Sequence, residues 1–199
     1  MVDQKTLEVF FDFSSPYGFL ATLMAPSLAK QIGRQLVFRP YLMGAAMKVT
    51  GTPTLVSVPL KRDYVWKDLA RTAKQFDVRL TMPQGFPFHS IAVSRCFYAL
   101  EAQDPALAER FAIAAAAKAW VGGKNLTEVQ VLAELAAEVG ADPQWLAERI
   151  QEQEIKDRLR AETDGAIERG FWGSPHFVVD STDAYWGCDK RWEIAQTYS

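Results

Sequence analysis

The sequence predicts an α/β fold, a small sheet whose chain is interrupted by a large all-helical insertion. Two observations carry this. Strand-like runs occur only toward the two ends of the chain, and the stretch of about 110 residues between them reads as helix throughout. A third observation places one join: residues 8–25, EVFFDFSSPYGFLATLMA, run from an apolar strand straight into a helix. With 199 residues, 49% hydrophobic and 23% charged, the chain has enough apolar material for a sizeable core and too little charge for disorder.

LEVFFDF (7–13) is a continuous apolar run rich in Val and Phe, as a strand covered on both faces requires. The helix after it has a clear start signal. Ser14 or Ser15 can cap free N–H groups, and Pro16 suits a first turn in which its missing N–H costs nothing. QLVFRPYL (35–42) reads as a second strand, so the segment is a βαβ unit with a parallel pair. From about 58 to 170 the spacing is helical, over 58–76, 89–102, 104–120, 126–140, 142–153 and 154–170. Asp104-Pro105 and Asp142-Pro143 open two of these helices, and a capping-box pattern from Thr127 to Gln130 opens another that stops at Gly140. HFVVD (176–180) and AYW (184–186), joined by Ser-Thr-Asp, predict a hairpin, and CDKRWEIAQTY (188–198) a last short helix. The outer pieces, 1–44 and 171–199, sum to a thioredoxin-like fold into which the helix 155–170 leads back. Residues 45–170 make the helical insertion domain.

Net charge is −2, which argues against a surface that tracks nucleic-acid phosphates. No apolar run reaches the ~18 residues a membrane span needs. Two cysteines far apart in sequence, Cys96 and Cys188, do not make a disulfide framework, and with no signal-peptide pattern at the N-terminus they point to the reducing cytoplasm. No set of His, Cys, Asp or Glu has metal-ligand spacing, so no metal is expected. The join itself poses a chemical question. In thiol–disulfide enzymes such a strand-to-helix junction carries Cys-x-x-Cys, whereas here it reads Ser15-Pro16-Tyr17-Gly18.

Four stretches, in order, resemble a known family: FFDFSSPYGFLA (10–21), KVTGTP (48–53) with VPLKRDYVWKDLAR (58–71), GFWGSPHFVVD (170–180) and YWGCDKR (185–191). They are similar to the 2-hydroxychromene-2-carboxylate isomerases and the kappa-class glutathione transferases of the DsbA-like group. The likeness covers nearly the whole chain. It implies glutathione as cofactor, a small aromatic substrate, a homodimer, and Ser15 as the catalytic serine. The implied isomerisation is thiolate addition, ring opening, bond rotation and release of glutathione. Two other readings remain, a kappa-like transferase or peroxidase acting on other electrophiles and a non-catalytic glutathione- or peptide-binding module.

Ser15 as a plain helix cap and Ser15 as a thiolate holder use the same geometry, because a helix N-terminus favours anions. A thiol of pKa ~8.5 is about 3% ionised at pH 7, and lowering it by ~2 units requires ~2.7 kcal/mol of differential stabilisation. The cysteine of a redox motif would form a mixed disulfide with glutathione, whereas a serine cannot. Pro175 is expected cis, exposing the backbone of Ser174 for strand-like pairing with the cysteinyl unit of glutathione. The resemblance places Trp186, Gly187, Cys188 and Asp189 at the γ-glutamyl end, with Asp189 as partner of the ammonium; Asp189 as a helix cap is the alternative. Thr52 stands where the family has an asparagine, Cys188 where serine or asparagine is usual, and Lys190 where arginine is common. Lys61 is assigned to the glycyl carboxylate, and Lys48 and Val49 to the substrate; a solvated helix face is the alternative for Lys61 and an exposed surface lysine for Lys48. Tyr17, Phe88 and Trp172 are candidates for a flat pocket, or else core. His89 is an acid–base candidate, or else a cap or packed imidazole.

Overall fold

The computed structural model describes residues 5–199, so the first four residues of the predicted segment 1–44 lie outside it. β1 (Thr6–Phe11), α1 (Pro16–Gln31) and β2 (Gln35–Pro40) form the expected unit, with β1 and β2 parallel from Thr6↔Gln35 to Phe11↔Pro40. β3 (His176–Val179) pairs antiparallel with the other edge of β1, and β4 (Asp183–Trp186) pairs antiparallel with β3. The resulting order is β2-β1-β3-β4. β3 is buried throughout and β1 leaves only Thr6 and Glu8 partly exposed, which is why both read as unbroken apolar runs. In the hairpin turn Asp180 and Ser181 take left-handed backbone, φ 50° and 64°, and Arg34 holds the Asp180 carboxylate at 3.0 Å.

Between β2 and β3 run α2 (Met43–Thr50), α3 (Lys61–Lys74), α4 (Ile91–Gln103), α5 (Pro105–Trp120), α6 (Val129–Val139), α7 (Pro143–Arg149) and α8 (Gln153–Glu168). A short α9 (Arg191–Tyr198) ends the chain. α1 is apolar nearly all round because β1 covers one side and α5 another. Trp120 and Phe111 of α5 therefore join Phe11, Phe19 and Phe177 in one continuous core. On the far side of the sheet Arg39 of β2 draws together Glu8, Glu101 and Glu162, at 3.2, 3.9 and 3.6 Å, and so ties α4 and α8 to the sheet.

Asp104 and Asp142 cap α5 and α7 as their Asp-Pro pairs predict. Three expectations need correction. The capping box does not form: Thr127 donates both its N–H and its hydroxyl to Asn125 Oδ1, so Glu128 becomes the cap of α6 with no side-chain bond. The helix expected from 58 begins at Lys61, because Val58 is extended and Leu60 is left-handed (φ 68°). α2 is absent from the sequence reading. MGAAMKVT is short, holds a glycine and two β-branched residues, and has weak propensity of its own.

An anchor outside α2 starts it. Asp12, 3% exposed just past β1, accepts from the N–H of Met43 at 2.9 Å, as an acid at a helix N-terminus should. Its other carboxylate oxygen accepts from the N–H and the hydroxyl of Ser14, at 2.8 and 2.7 Å. Its backbone N–H donates to Ser174 Oγ at 3.0 Å, and its carbonyl accepts from Ser15 N at 2.9 Å. One residue thus joins β1, α1, α2 and the loop before β3. Asp12→Ala is expected to destabilise the protein by about 3–5 kcal/mol, since three partly buried donors lose a charged acceptor at once. Chemical denaturation of the two proteins measures this.

Candidate active site

The sequence around residue 15 folds as a cap. Ser15 has extended backbone (φ −93°, ψ 122°), its Oγ accepts from Gly18 N at 3.1 Å, and Pro16 occupies the first turn of α1. Ser14 is committed to Asp12, so the choice between the two serines is settled by geometry. Ser15 Oγ also donates to the carbonyl of Ser174 at 3.4 Å, a long bond that leaves both groups easily re-partnered. The Ser174–Pro175 peptide is cis, as expected, and Pro175 O accepts from Gly187 N at 3.2 Å, which draws the start of the last segment to the same place. A second cis bond, Phe86–Pro87, was not anticipated.

Gly18 explains the fourth position of the motif. A Cβ there would lie 2.7 Å from Asp12 O and 2.8 Å from Ser174 Oγ, so only glycine lets α1 approach the cis-proline loop this closely. Gly173 has a similar role, since its Cβ would lie 2.8 Å from Trp186 Nε1. Trp172 and Trp186 lie against each other with ring centroids 4.2 Å apart and planes tilted by 41°, and stay nearly half exposed. Tyr41 and His176 fix the loop from beneath. The Tyr41 hydroxyl and His176 Nδ1 both bond Gly173 O, and the imidazole stacks on Phe171 at 4.5 Å. Burial lowers the His176 pKa to about 4, so the ring is neutral at physiological pH with Nδ1–H as the donor.

Tyr17 sends its side chain to α3. Its hydroxyl donates to Asp68 Oδ2 at 2.7 Å, while its carbonyl accepts from Cys188 Sγ at 3.2 Å. Burial, then the bond to Asp68, pushes the phenol well above its ordinary pKa and keeps it protonated. The Cys188 thiol is likewise raised by burial. Burial pushes the Cys96 thiol up to about 12. Both thiols are therefore protonated at neutral pH.

A cavity of about 570 Å³ opens between the α1 N-terminus and the cis-proline loop on one side and α2, the following segment and α3 on the other. Ser15, Tyr17, Thr52, Trp172, Ser174, Pro175, Trp186, Gly187, Cys188 and Asp189 all line it. Asp189 is exposed at the rim and caps nothing, because α9 begins two residues later.

Five candidate residues are not brought there. Phe88 is 7% exposed within the main core, on the stretch leading to α4. Lys48 and Val49 are exposed at the end of α2, on which Met43 and Met47 take the cavity face one turn apart. Lys61 is exposed at the start of α3, whose lining residues are Val65, Asp68 and Thr72. His89 is exposed and off the lining. Sequence reasoning missed Met43, Met47, Asp68, Phe86 and the anchor Asp12. The i,i+4 methionines before Gly51 were a usable signal.

A second cavity, of about 610 Å³, lies on the other side of α3 and is lined by Trp66, Leu69, Ala73, Leu80, Met82 and Trp120 among others. Among the described residues no group of three or more His, Cys, Asp or Glu could hold a metal ion, and no helix is long and apolar enough to cross a membrane.

Comparison with known proteins gives a consistent neighbourhood. The profile of the DSBA-like thioredoxin domain matches residues 6–199. The 2-hydroxychromene-2-carboxylate isomerase of Sphingobium xenophagum is 31% identical over 188 residues, 94% of each chain. Glutathione S-transferase kappa 1 of Caenorhabditis elegans is 26% identical, covering 95% of this chain and 88% of that one. Among solved structures a 2-hydroxychromene-2-carboxylate isomerase superposes with a TM-score of 0.87 at 22% identity, covering 96% of this chain and 93% of that chain.

Two measurements probe this geometry. Gly18→Ala would stabilise an ordinary helix; here it is expected to cost about 2–3 kcal/mol, because the new methyl meets backbone on one side. His176 gives a pH signature. Above about pH 6.5 both folded and unfolded states hold the imidazole neutral. Below it the unfolded chain binds a proton that the fold excludes down to about pH 4, so stability falls with falling pH across that window. The loss expected at pH 5 is ~2 kcal/mol. The difference between the wild-type and His176→Gln pH–stability profiles should show it, and a flat difference would mean that the ring titrates normally.

Proposed function

The chain belongs to the DSBA-like thioredoxin domain family, and we propose that this protein is a glutathione-dependent isomerase acting on a conjugated aromatic substrate. The chemistry would be of the type named for its 31%-identical relative. One observation carries the reading: a serine hydroxyl, where a redox enzyme has a thiol, caps α1 beside the carbonyl that precedes a cis-proline and opens on a cavity.

The residues fit glutathione. The long Ser15–Ser174 bond can be exchanged: the Ser174 carbonyl accepts an incoming cysteinyl N–H in strand fashion, and the freed Ser15 hydroxyl turns to the sulfur. There the first-turn N–H groups of α1 and its dipole add to the hydroxyl, so the site favours the thiolate over the thiol. Asp189 offers the rim carboxylate that an ammonium needs. A volume of about 570 Å³ lies within the roughly 300–1,000 Å³ of small-molecule sites. Bound glutathione supplies a sulfur nucleophile that adds reversibly to a conjugated carbon, turns a double bond into one free to rotate, and leaves again.

This chain's own groups position and exclude. Tyr17, committed to Asp68, holds α3 against the site. Trp172 and Trp186 offer flat faces at the mouth. Because both cysteines are protonated and neither stands in the motif, dithiol exchange has no nucleophile here. A cytoplasm rich in reduced glutathione is the compartment the reading calls for.

The test is the ultraviolet spectrum of 2-hydroxychromene-2-carboxylate, and of its methyl ester, with protein and glutathione. Isomerisation dependent on glutathione is expected, and Ser15→Ala should lower kcat by ~10²–10³-fold while costing only ~1 kcal/mol of stability as a lost cap. No change with either compound sinks the isomerase. A product that retains glutathione would favour the transferase activity carried by the kappa relatives' name. Glutathione affinity indifferent to Ser15→Ala, without turnover, would leave a binding module.

A further inference from the structure

The cavity walls divide by chemistry. Ser15, Ser174 and Gly187 lie where α1 meets the cis-proline loop, the end assigned above to glutathione. The opposite wall, from α2, the segment after it, α3 and the loop before α4, presents Met43, Met47, Val56, Val65 and Phe86. The formal charges on the lining are two carboxylates, Asp68 and Asp189. Among the described residues that line the cavity there is no lysine, arginine or histidine. Lys48 and Lys61, the cations expected to face a substrate or glutathione carboxylate, are exposed and off the lining. Asp68 does have a cation, since Arg71 reaches its Oδ1 at 3.2 Å, but Arg71 is exposed and also off the lining.

We propose that the second substrate of this site is uncharged, a flat conjugated electrophile that carries no carboxylate, and that the cavity selects against the anionic form of the same frame. The proposal rests on the glutathione reading above. An anion beside the apolar wall would have to shed water with no donor cation to replace it. It would also face Asp68 and a sulfur held as thiolate, and like charges repel more strongly here than in bulk water. An apolar ring system meets no such opposition. Two methionines one turn apart make a polarisable, adaptable surface against which rings of differing shape can lie. Asp68, fixed by Tyr17 across the cavity, is then a residue that sets specificity by charge.

The closing experiment separates substrate charge from catalysis. Binding of 2-hydroxychromene-2-carboxylate and of its methyl ester to the glutathione-loaded protein is measured by calorimetry, alongside kcat/KM for each. The ester is expected to bind at least about tenfold more tightly, with the difference in KM rather than kcat. Asp68→Asn, which keeps an acceptor for Tyr17, should shrink the ester-to-acid ratio severalfold; a merely structural defect would weaken both ligands and leave the ratio alone. Equal or tighter binding of the acid overturns the proposal whether or not turnover is seen. Tight ester binding without isomerisation of either compound would count against the isomerase and leave the charge preference standing.

Discussion

The carboxylate of Asp12 is committed to donors from two separate helix starts, while the backbone of the same residue is tied to the loop before β3 and to Ser15. Secondary structure alone would leave β1, α1, α2 and the cis-proline loop free to meet in several ways. A buried charge narrows that freedom, because each arrangement that strands it without donors is costly. Gly18 then allows the remaining approach, and Trp120 from α5 closes the far side by donating to Phe13 O at 3.0 Å. The cavity is the space left over once these groups have met.

Two helix N-termini converge on the end of β1, and they are treated differently. α2 receives a full negative charge from Asp12, which offsets its dipole. At α1 the Asp12 carboxylate reaches only Ser14, ahead of the cap; the first turn itself is capped by the neutral Ser15 and opens on the cavity. A cysteine in place of Ser15 would use that field on a sulfur of the protein itself. With serine that field has no protein sulfur to act on and stays free for an incoming ligand; under the proposed function no bond to the protein has to break for the ligand's sulfur to depart.

Most of the architecture could be read from the chain because its signals are local: Asp-Pro caps, a Ser-Pro cap, strands buried on both faces, a turn between β3 and β4. The cis state of Pro175 and the cavity positions of Ser15, Thr52 and residues 186–189 were also legible, through the resemblance of their motifs. What escaped depends on distant partners. α2 exists because Asp12 anchors its first turn, Asp68 enters the site because Tyr17 reaches it across 51 positions of chain, and no window of sequence contains both ends of either bond. Lys48 and Lys61 fall off the lining because helical phase decides which side of α2 and α3 faces inward, and Met43, Met47 and Val65 take that side.

α3 is a partition with space on both of its faces. Val65, Asp68 and Thr72 border one cavity, and Trp66, Leu69 and Ala73 the other. A helix so placed has less packing to surrender on shifting than one wedged between solid layers, and thinly packed segments open at lower free energy. A polar tether from it to the start of α1 is the Tyr17–Asp68 bond. The position of α3, held by the Tyr17–Asp68 bond, therefore fixes how much room falls to each of the two chambers.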